Sequence, residues 1–227
     1  MQPFLYTPPD VPLDIIHADD QILVVNKPSG LLSVPGKPED HKDCLENRLR
    51  AAYPEVLLVH RLDMATSGVM VFARTPNAQK SLGRQFEKRL VEKRYIAVVA
   101  GNPSAQEGDV DLPLATDWPN RPKQHVDHES GRSAQTHWQV LERRSTSTVM
   151  ALYPKTGRSH QLRVHMAAIG HPILGDTFYG DVDAAPRLLL HAERLSLIIP
   201  GLGTRASFLA PCEFFCDGSL RLGRSRS

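Results

Sequence analysis

His60-Arg61-Leu62-Asp63-Met64-Ala65-Thr66-Ser67-Gly68 runs directly into the apolar stretch Val69-Met70-Val71-Phe72-Ala73. Apolar residues bounded in this way by turn formers read as a buried strand. Asp63 then stands at the lip of that strand, where a sheet can hold a side chain still. It also lies two residues from Arg61, a spacing that in a loop usually makes a surface ion pair. From the chemistry of these residues alone, an ion pair and a held, reactive carboxylate both remain open.

Working outward, Ile22 to Asn26 reads as a short apolar strand stopped at Pro28-Ser29-Gly30. Asp43 and Glu46 have capping-box spacing, and Leu45, Leu49 and Ala52 recur on one helical face up to Tyr53-Pro54. Thr75 is placed to cap a helix with Pro76 in its first turn, Leu82 and Phe86 inward, and an end near Arg89 or Leu90. Tyr95 to Val99 reads as a strand ended by Gly101-Asn102-Pro103, and residues 102–132 as a polar excursion. Further strands are expected at 135–141, 147–153, 187–191, 194–199 and 206–209, with one helix at about 159–169 stopped by Gly170. The regular strand–helix alternation of a doubly wound fold fails after residue 100. The expected class is α+β: a mixed, mainly antiparallel central sheet with flanking helices and loops. The expected organisation is a Pro-rich N-terminal arm at 1–14, a single catalytic domain at 15–212, and a flexible tail at 213–227.

The chain has 227 residues, 41% hydrophobic and 23% charged, with a net charge of +2. These are ordinary values for a soluble globular protein. A near-neutral total says little about nucleic-acid partners, because RNA binding needs only local positive density. No stretch approaches the roughly 20 apolar residues of a membrane span, and the first twenty residues carry no signal-peptide pattern. The cysteines Cys44, Cys212 and Cys216 are too scattered for a disulfide framework. The expected compartment is the cytoplasm, with no membrane partner.

Four stretches, collinear from about residue 15 to about residue 210, together resemble the RluA family of RNA pseudouridine synthases. They are residues 60–68; Gln21-Ile22-Leu23-Val24-Val25-Asn26-Lys27-Pro28-Ser29-Gly30-Leu31-Leu32; Lys93-Arg94-Tyr95-Ile96-Ala97; and Gly157-Arg158-Ser159-His160-Gln161-Leu162-Arg163-Val164-His165. The resemblance implies the pseudouridine synthase fold and an isomerase that breaks the C1′–N1 bond of uridine, rotates the uracil and joins C1′ to C5. That reaction has no redox change and no group donor, so no cofactor is implied. The resemblance makes Asp63 the catalytic nucleophile, Tyr95 a stacking partner and acid/base, Arg163 the anchor of the Asp63 carboxylate, and Arg61 the wedge that fills the stack a flipped uridine leaves. The stretch Asp117-Trp118-Pro119-Asn120-Arg121-Pro122-Lys123-Gln124 is similar to that of short family members acting on both a 23S ribosomal RNA hairpin and a transfer RNA anticodon stem-loop.

The residue chemistry is compatible with these roles. Carboxylates act as covalent nucleophiles at sugar carbons, and a guanidinium fork both orients a carboxylate and keeps it charged. Leu162, Met166 and Ile169 form an apolar stripe with Arg163 on its flank. His60 and Thr66 are assigned to the RNA-binding loop, which they shape. Lys27 reads either as a solvated strand-end lysine or as a phosphate contact. The cations Arg84, Lys88, Arg89, Lys93 and Arg94 outweigh Glu87 and Glu92, and read either as a solvated helix face or as phosphate contacts. Trp118, Arg121 and Lys123, with Asn120 and Gln124, suit recognition of unpaired bases, and Trp118-Pro119 reads equally as a local hydrophobic plug. His160 with His165, and His125 with His128, lack ligand-set spacing, so no metal is expected. The alternative to an enzyme is a non-catalytic RNA-binding protein or RNA chaperone. A monomer is expected.

Overall fold

The computed structural model describes residues 5–215. Most of the expected tail, 216–227 with Cys216, lies outside the described residues. In chain order the strands and helices are β1 (Asp14–Ala18), β2 (Ile22–Lys27), α1 (Leu45–Ala52), β3 (Leu57–Leu58), β4 (Ser67–Ala73), α2 (Pro76–Glu87) and β5 (Glu92–Ala100). There follow β6 (Glu107–Asp111), β7 (Leu114–Thr116), β8 (Gln124–Val126), β9 (Gln135–Arg143), β10 (Ser147–Pro154), α3 (Gln161–Ala168), β11 (Leu190–Ile198) and β12 (Arg205–Leu209).

One large sheet runs β1-β2-β4-β11-β5-β10-β9-β6, with β12 added to β11 and β3 to β4, while β7 and β8 form a separate hairpin. Among the described residues only β4 and β11 pair in parallel; every other strand pair of the sheet is antiparallel, in line with the expected class. The parallel contact is two residue pairs long, His191 against Ser67 and Ala192 against Gly68. Gly68 (φ +118°) is obligatory there, because a Cβ would fall 2.2 Å from the carbonyl oxygen of Ala192. This close approach brings the start of β4, and so the Asp63 loop just before it, against the middle of β11.

Two large apolar clusters form most of the core. One joins β2 and β4 to Leu45 and Leu49 of α1 and Ala78 and Leu82 of α2. The other joins Ala97 and Val99 of β5 and Met150 and Leu152 of β10 to Leu162 and Met166 of α3. Tyr95 packs against both.

Some local signals act as expected and others are overruled by tertiary partners. Thr75 Oγ1 accepts from Ala78 N–H, and Pro76 opens α2. Asp43 does not cap α1: the cap is Cys44, whose Sγ accepts from Asn47 N–H, while Asp43 clasps Arg48 through two 2.7 Å bonds. A guanidinium within reach outcompetes a helix terminus for a carboxylate. The strands expected at 187–191 and 194–199 are one strand with a bulge between Ala192 and Arg194. The Glu193-Arg194 pair looks like a break in the sequence, but Glu193 is buried because Arg94 neutralises it. Part of the excursion returns to the sheet as edge strand β6. The N-terminal arm is tied down by Tyr6, which donates to the Asp43 carbonyl, and Phe214 and Phe215 pack beneath β5 and β10.

Candidate active site

The Asp63 loop is held carbonyl by carbonyl. Leu62 O accepts from Ser33 Oγ (2.6 Å), Asp63 O from Thr66 N (3.1 Å), and Ala65 O from Ser29 Oγ (2.7 Å). Met64 O accepts from both Gly30 N (2.9 Å) and Lys27 Nζ (3.0 Å). The segment that leaves β2 is therefore a cradle for the loop that enters β4. A backbone whose carbonyls from Leu62 to Ala65 are all engaged has little freedom to carry its side chain elsewhere.

Lys27 belongs to this cradle, so neither reading of it as a surface cation survives. It is fully buried, and Nζ also donates to Leu31 O (2.7 Å) and Pro28 O (2.8 Å). The three carbonyls match the three N–H donors of an ammonium. Burial pulls its pKa down to about 7 against the opposing charge of Asp63. It cannot meet a phosphate.

Asp63, Tyr95 and Arg163, which are far apart in sequence, open into one cavity of about 560 Å³. His60, Arg61, Thr66 and Lys93 line it too. That volume is in the range of small-molecule pockets and suits an extruded nucleoside. Arg84, Arg121 and Lys123 do not line it. Arg84 lies in a separate surface groove with Lys80 and Lys88.

Arg163 is more deeply buried than a flank position implies, at 3% exposure. Its fork does not grip Asp63. Nε and Nη2 donate to Asp176 at 2.7 and 2.6 Å, and Nη1 stands 3.7 Å from Asp63 Oδ2. Burial would raise Asp176, but Arg163 and the N–H groups of Phe178 and Tyr179 hold it below the usual carboxylate value. A carboxylate that stays ionised fixes the guanidinium, and the guanidinium then presents its remaining charge to Asp63. Asp176 was not among the sequence candidates. The only hint was an acid set between glycines beside two aromatics, Gly175-Asp176-Thr177-Phe178-Tyr179-Gly180.

His160, to which the sequence reading gave no role once its pairing with His165 as a metal site was set aside, places Nε2 4.0 Å from the same Asp63 oxygen. His165 is buried elsewhere, bonded to Thr136 Oγ1 and Leu112 O. Among the described residues no group of three His, Cys, Asp or Glu side chains is disposed to hold a metal ion.

Burial and the nearby Asp63 charge raise the Tyr95 phenol well above its ordinary value, so it stays protonated at neutral pH. His60 is half-buried in the cavity wall, where protein groups hold its ring. Its ring stacks on Phe86 at 4.7 Å, Nε2 accepts from Val71 N–H, and burial with Lys93 lowers its pKa to about 3. Thr66 is buried as well. Arg61 is exposed at the rim.

Beside the first cavity the sheet splits. β5 pairs with β10 only as far as Tyr95 opposite Leu152; beyond that point β10 follows β9 and β5 follows β11. The gap is a second cavity of about 440 Å³, lined by Arg89, Lys93, Arg94, Lys155 and Arg194. Arg94 is paired with buried Glu193. Lys93 donates to Thr156 O, and burial together with Arg89 lowers its pKa to about 8. On the other side of the site, the β7–β8 hairpin carries Trp118, 69% exposed, with the Arg121 guanidinium 3.3 Å above its ring.

The family model described as RNA pseudouridylate synthase matches residues 21–168, which hold Asp63, Tyr95 and Arg163 in one cavity. The chain belongs to this family. A pseudouridine synthase from Escherichia coli (strain K12), called "Dual-specificity RNA pseudouridine synthase RluA", is 56% identical over 92% of this chain and 98% of its own length. A protein of the same name from Vibrio vulnificus is 52% identical, covering 93% of this chain and 88% of its own. Among solved structures, human RNA Pseudouridylate Synthase Domain Containing 1 matches with a TM-score of 0.75 at 29% identity, over 95% of this chain and 88% of that one. Human RNA Pseudouridylate Synthase Domain Containing 4 matches at 0.72 and 28%, over 89% and 90%. The chain is thus a pseudouridine synthase, an isomerase acting on uridine in RNA. No helix among the described residues is long and apolar enough to cross a membrane.

Proposed function

We propose that this pseudouridine synthase converts uridines both in a 23S ribosomal RNA hairpin and in a transfer RNA anticodon stem-loop, acting in the cytoplasm as a monomer. The observation that carries the catalytic part is the position of Asp63, whose carboxylate faces a nucleoside-sized cavity with Arg163 and His160 both directed at Oδ2. Oδ1 is left for attack. The dual specificity is supported by the shared name and near full-length coverage of the bacterial relatives.

In this reading Arg61 fills the stack as uridine swings out, and the uracil settles against the Tyr95 ring. Asp63 adds to the nucleoside as the C1′–N1 bond breaks. The freed uracil turns, C1′ bonds to C5, and the Asp63–nucleoside bond breaks, returning its electron pair to the carboxylate. The C5 proton then leaves and N1 gains one, so the product is an isomer of the substrate. With its phenol kept neutral, Tyr95 stacks and relays a proton; it is not a phenolate base. Lys93, Lys155, Arg89 and Arg194 at the sheet split receive the phosphates flanking the flipped nucleotide. The Trp118 loop stacks on unpaired bases.

Chemical mapping of pseudouridine in ribosomal and transfer RNA from cells lacking the gene tests this. Loss at one site in each RNA is expected. Loss in one RNA only removes the dual specificity, and loss in neither removes RNA of these two classes as the substrate.

A further inference from the structure

Tyr179 and His160 connect two parts of the molecule to which the catalytic scheme gives separate tasks. The Tyr179 hydroxyl oxygen accepts from Gln124 N–H at 2.7 Å, and Gln124 is the first residue of β8, immediately after the Trp118 loop. The same hydroxyl stands 2.8 Å from His160 Nδ1. With its oxygen accepting from Gln124, the phenol has its one hydrogen available for Nδ1, and in that tautomer the imidazole proton sits on Nε2. Nε2 is the atom that faces Asp63 Oδ2 at 4.0 Å.

The backbone indicates that this placement of the ring is not incidental. His160 is a non-glycine residue in the left-handed region, φ 53° and ψ 15°, at the start of α3, and its side chain makes no capping bond. Such a conformation persists where the surroundings impose it. The surroundings here are Phe178, stacked on the imidazole at 5.6 Å and 21°, and the Tyr179 hydroxyl. Asp176 holds this turn through the N–H groups of Phe178 and Tyr179 with the same carboxylate that grips Arg163. Both groups directed at Asp63 therefore hang from one short segment, and that segment meets the recognition hairpin through the Gln124 N–H and through packing of Tyr179 with Leu114 and Val126.

We propose that Tyr179 is a positioning residue which, through His160, ties the 117–124 loop to the Asp63 carboxylate, so that engagement of the loop by unpaired RNA bases sets the orientation of the nucleophile. This rests on the reading of Asp63 as nucleophile. Uridine outside a fitting loop is then turned over slowly even when bound, which makes the relay a specificity device acting on the rate and not on affinity.

The test is single-turnover kinetics on an anticodon stem-loop RNA with Tyr179→Phe, Trp118→Ala and the double variant, thermal midpoints being matched first. Tyr179→Phe should lower the rate constant about tenfold with little change in the RNA concentration needed for half-maximal rate, as expected when a reacting group is misaligned. Trp118→Ala should lower the rate constant and weaken binding in the wild-type background, but in the Tyr179→Phe background it should only weaken binding. His160→Gln, which keeps an N–H near Nε2, should retain more activity than His160→Ala. Additive effects of Tyr179→Phe and Trp118→Ala on the rate constant would overturn the proposal, as would a Tyr179→Phe enzyme at wild-type rate. If instead Asp63→Asn were active, the catalytic reading would fail first, and separately.

Discussion

Arg163 grips Asp176 through two bonds of 2.7 and 2.6 Å and shows Asp63 only its remaining nitrogen, at 3.7 Å. The guanidinium is thus secured from behind and offers charge in front. A direct bidentate grip on Asp63 would occupy the oxygens that must react. The arrangement sets positive charge beside one carboxylate oxygen and leaves the other uncommitted among the described residues.

Asp176 should matter to stability as much as to rate. Removing one member of a buried ion pair strands the other, at about 3–5 kcal/mol. Asp176→Ala is expected to shift urea unfolding by that order and to reduce pseudouridine formation in whatever fraction remains folded. A variant with normal stability and activity would show that Arg163 needs no support.

Asp63→Asn preserves size and the loop's backbone bonds, because those run through carbonyls and not through the carboxylate. Folding and RNA binding should persist while turnover falls by on the order of 10³ or more, as for other lost nucleophiles. Gel-shift and pseudouridine mapping on the same preparation check both halves. Persistent turnover would eliminate Asp63 as nucleophile.

Lys27→Met would strand the Pro28 and Leu31 carbonyl oxygens, each worth about 1–3 kcal/mol when buried without a donor, while Met64 O keeps Gly30 N. Destabilisation of several kcal/mol is expected even though the molecular surface is left unaltered. The pH dependence has a definite sign. Lys27 titrates at about 7 when folded and at its ordinary 10.5 when unfolded. The unfolded chain therefore binds more protons between these values, and stability from this group rises with pH across that window and is flat below it. Denaturation at pH 7 and pH 9 should show the rise in the wild type and lose this component in Lys27→Met.

Lys93 gives a separate pH signature. Its pKa of about 8 means the ammonium is lost as pH climbs past that point. If it meets a phosphate, binding of RNA should weaken above pH 8, and Lys93→Arg, which cannot lose its proton, should flatten the profile. The charge-reversal variant Arg194→Glu at the sheet split should weaken binding and reduce the salt slope of log K by about 1 for each phosphate no longer neutralised. An unchanged slope would place the RNA elsewhere.

The strands and helices with one-sided or continuous apolar patterns were legible in the residues themselves: β2, β4, β5, α2 and α3 all lie close to where periodicity put them. So were Asp63 at the mouth of β4 and the collinear motifs bearing Tyr95 and Arg163, because a strand edge and a family signature are local properties. What the residues did not reveal was where each charge would be neutralised. Asp43 chose Arg48, Glu193 chose Arg94, and Arg163 chose Asp176. Lys27 turned inward to the carbonyls of the Asp63 loop, and His160 turned to Tyr179, nineteen positions away. Sequence determined the apolar framework and the identity of the reactive groups, since both follow from side-chain chemistry read along the chain. Tertiary structure alone decided which polar groups support the nucleophile, since a buried charge takes whichever partner the fold brings within bonding distance.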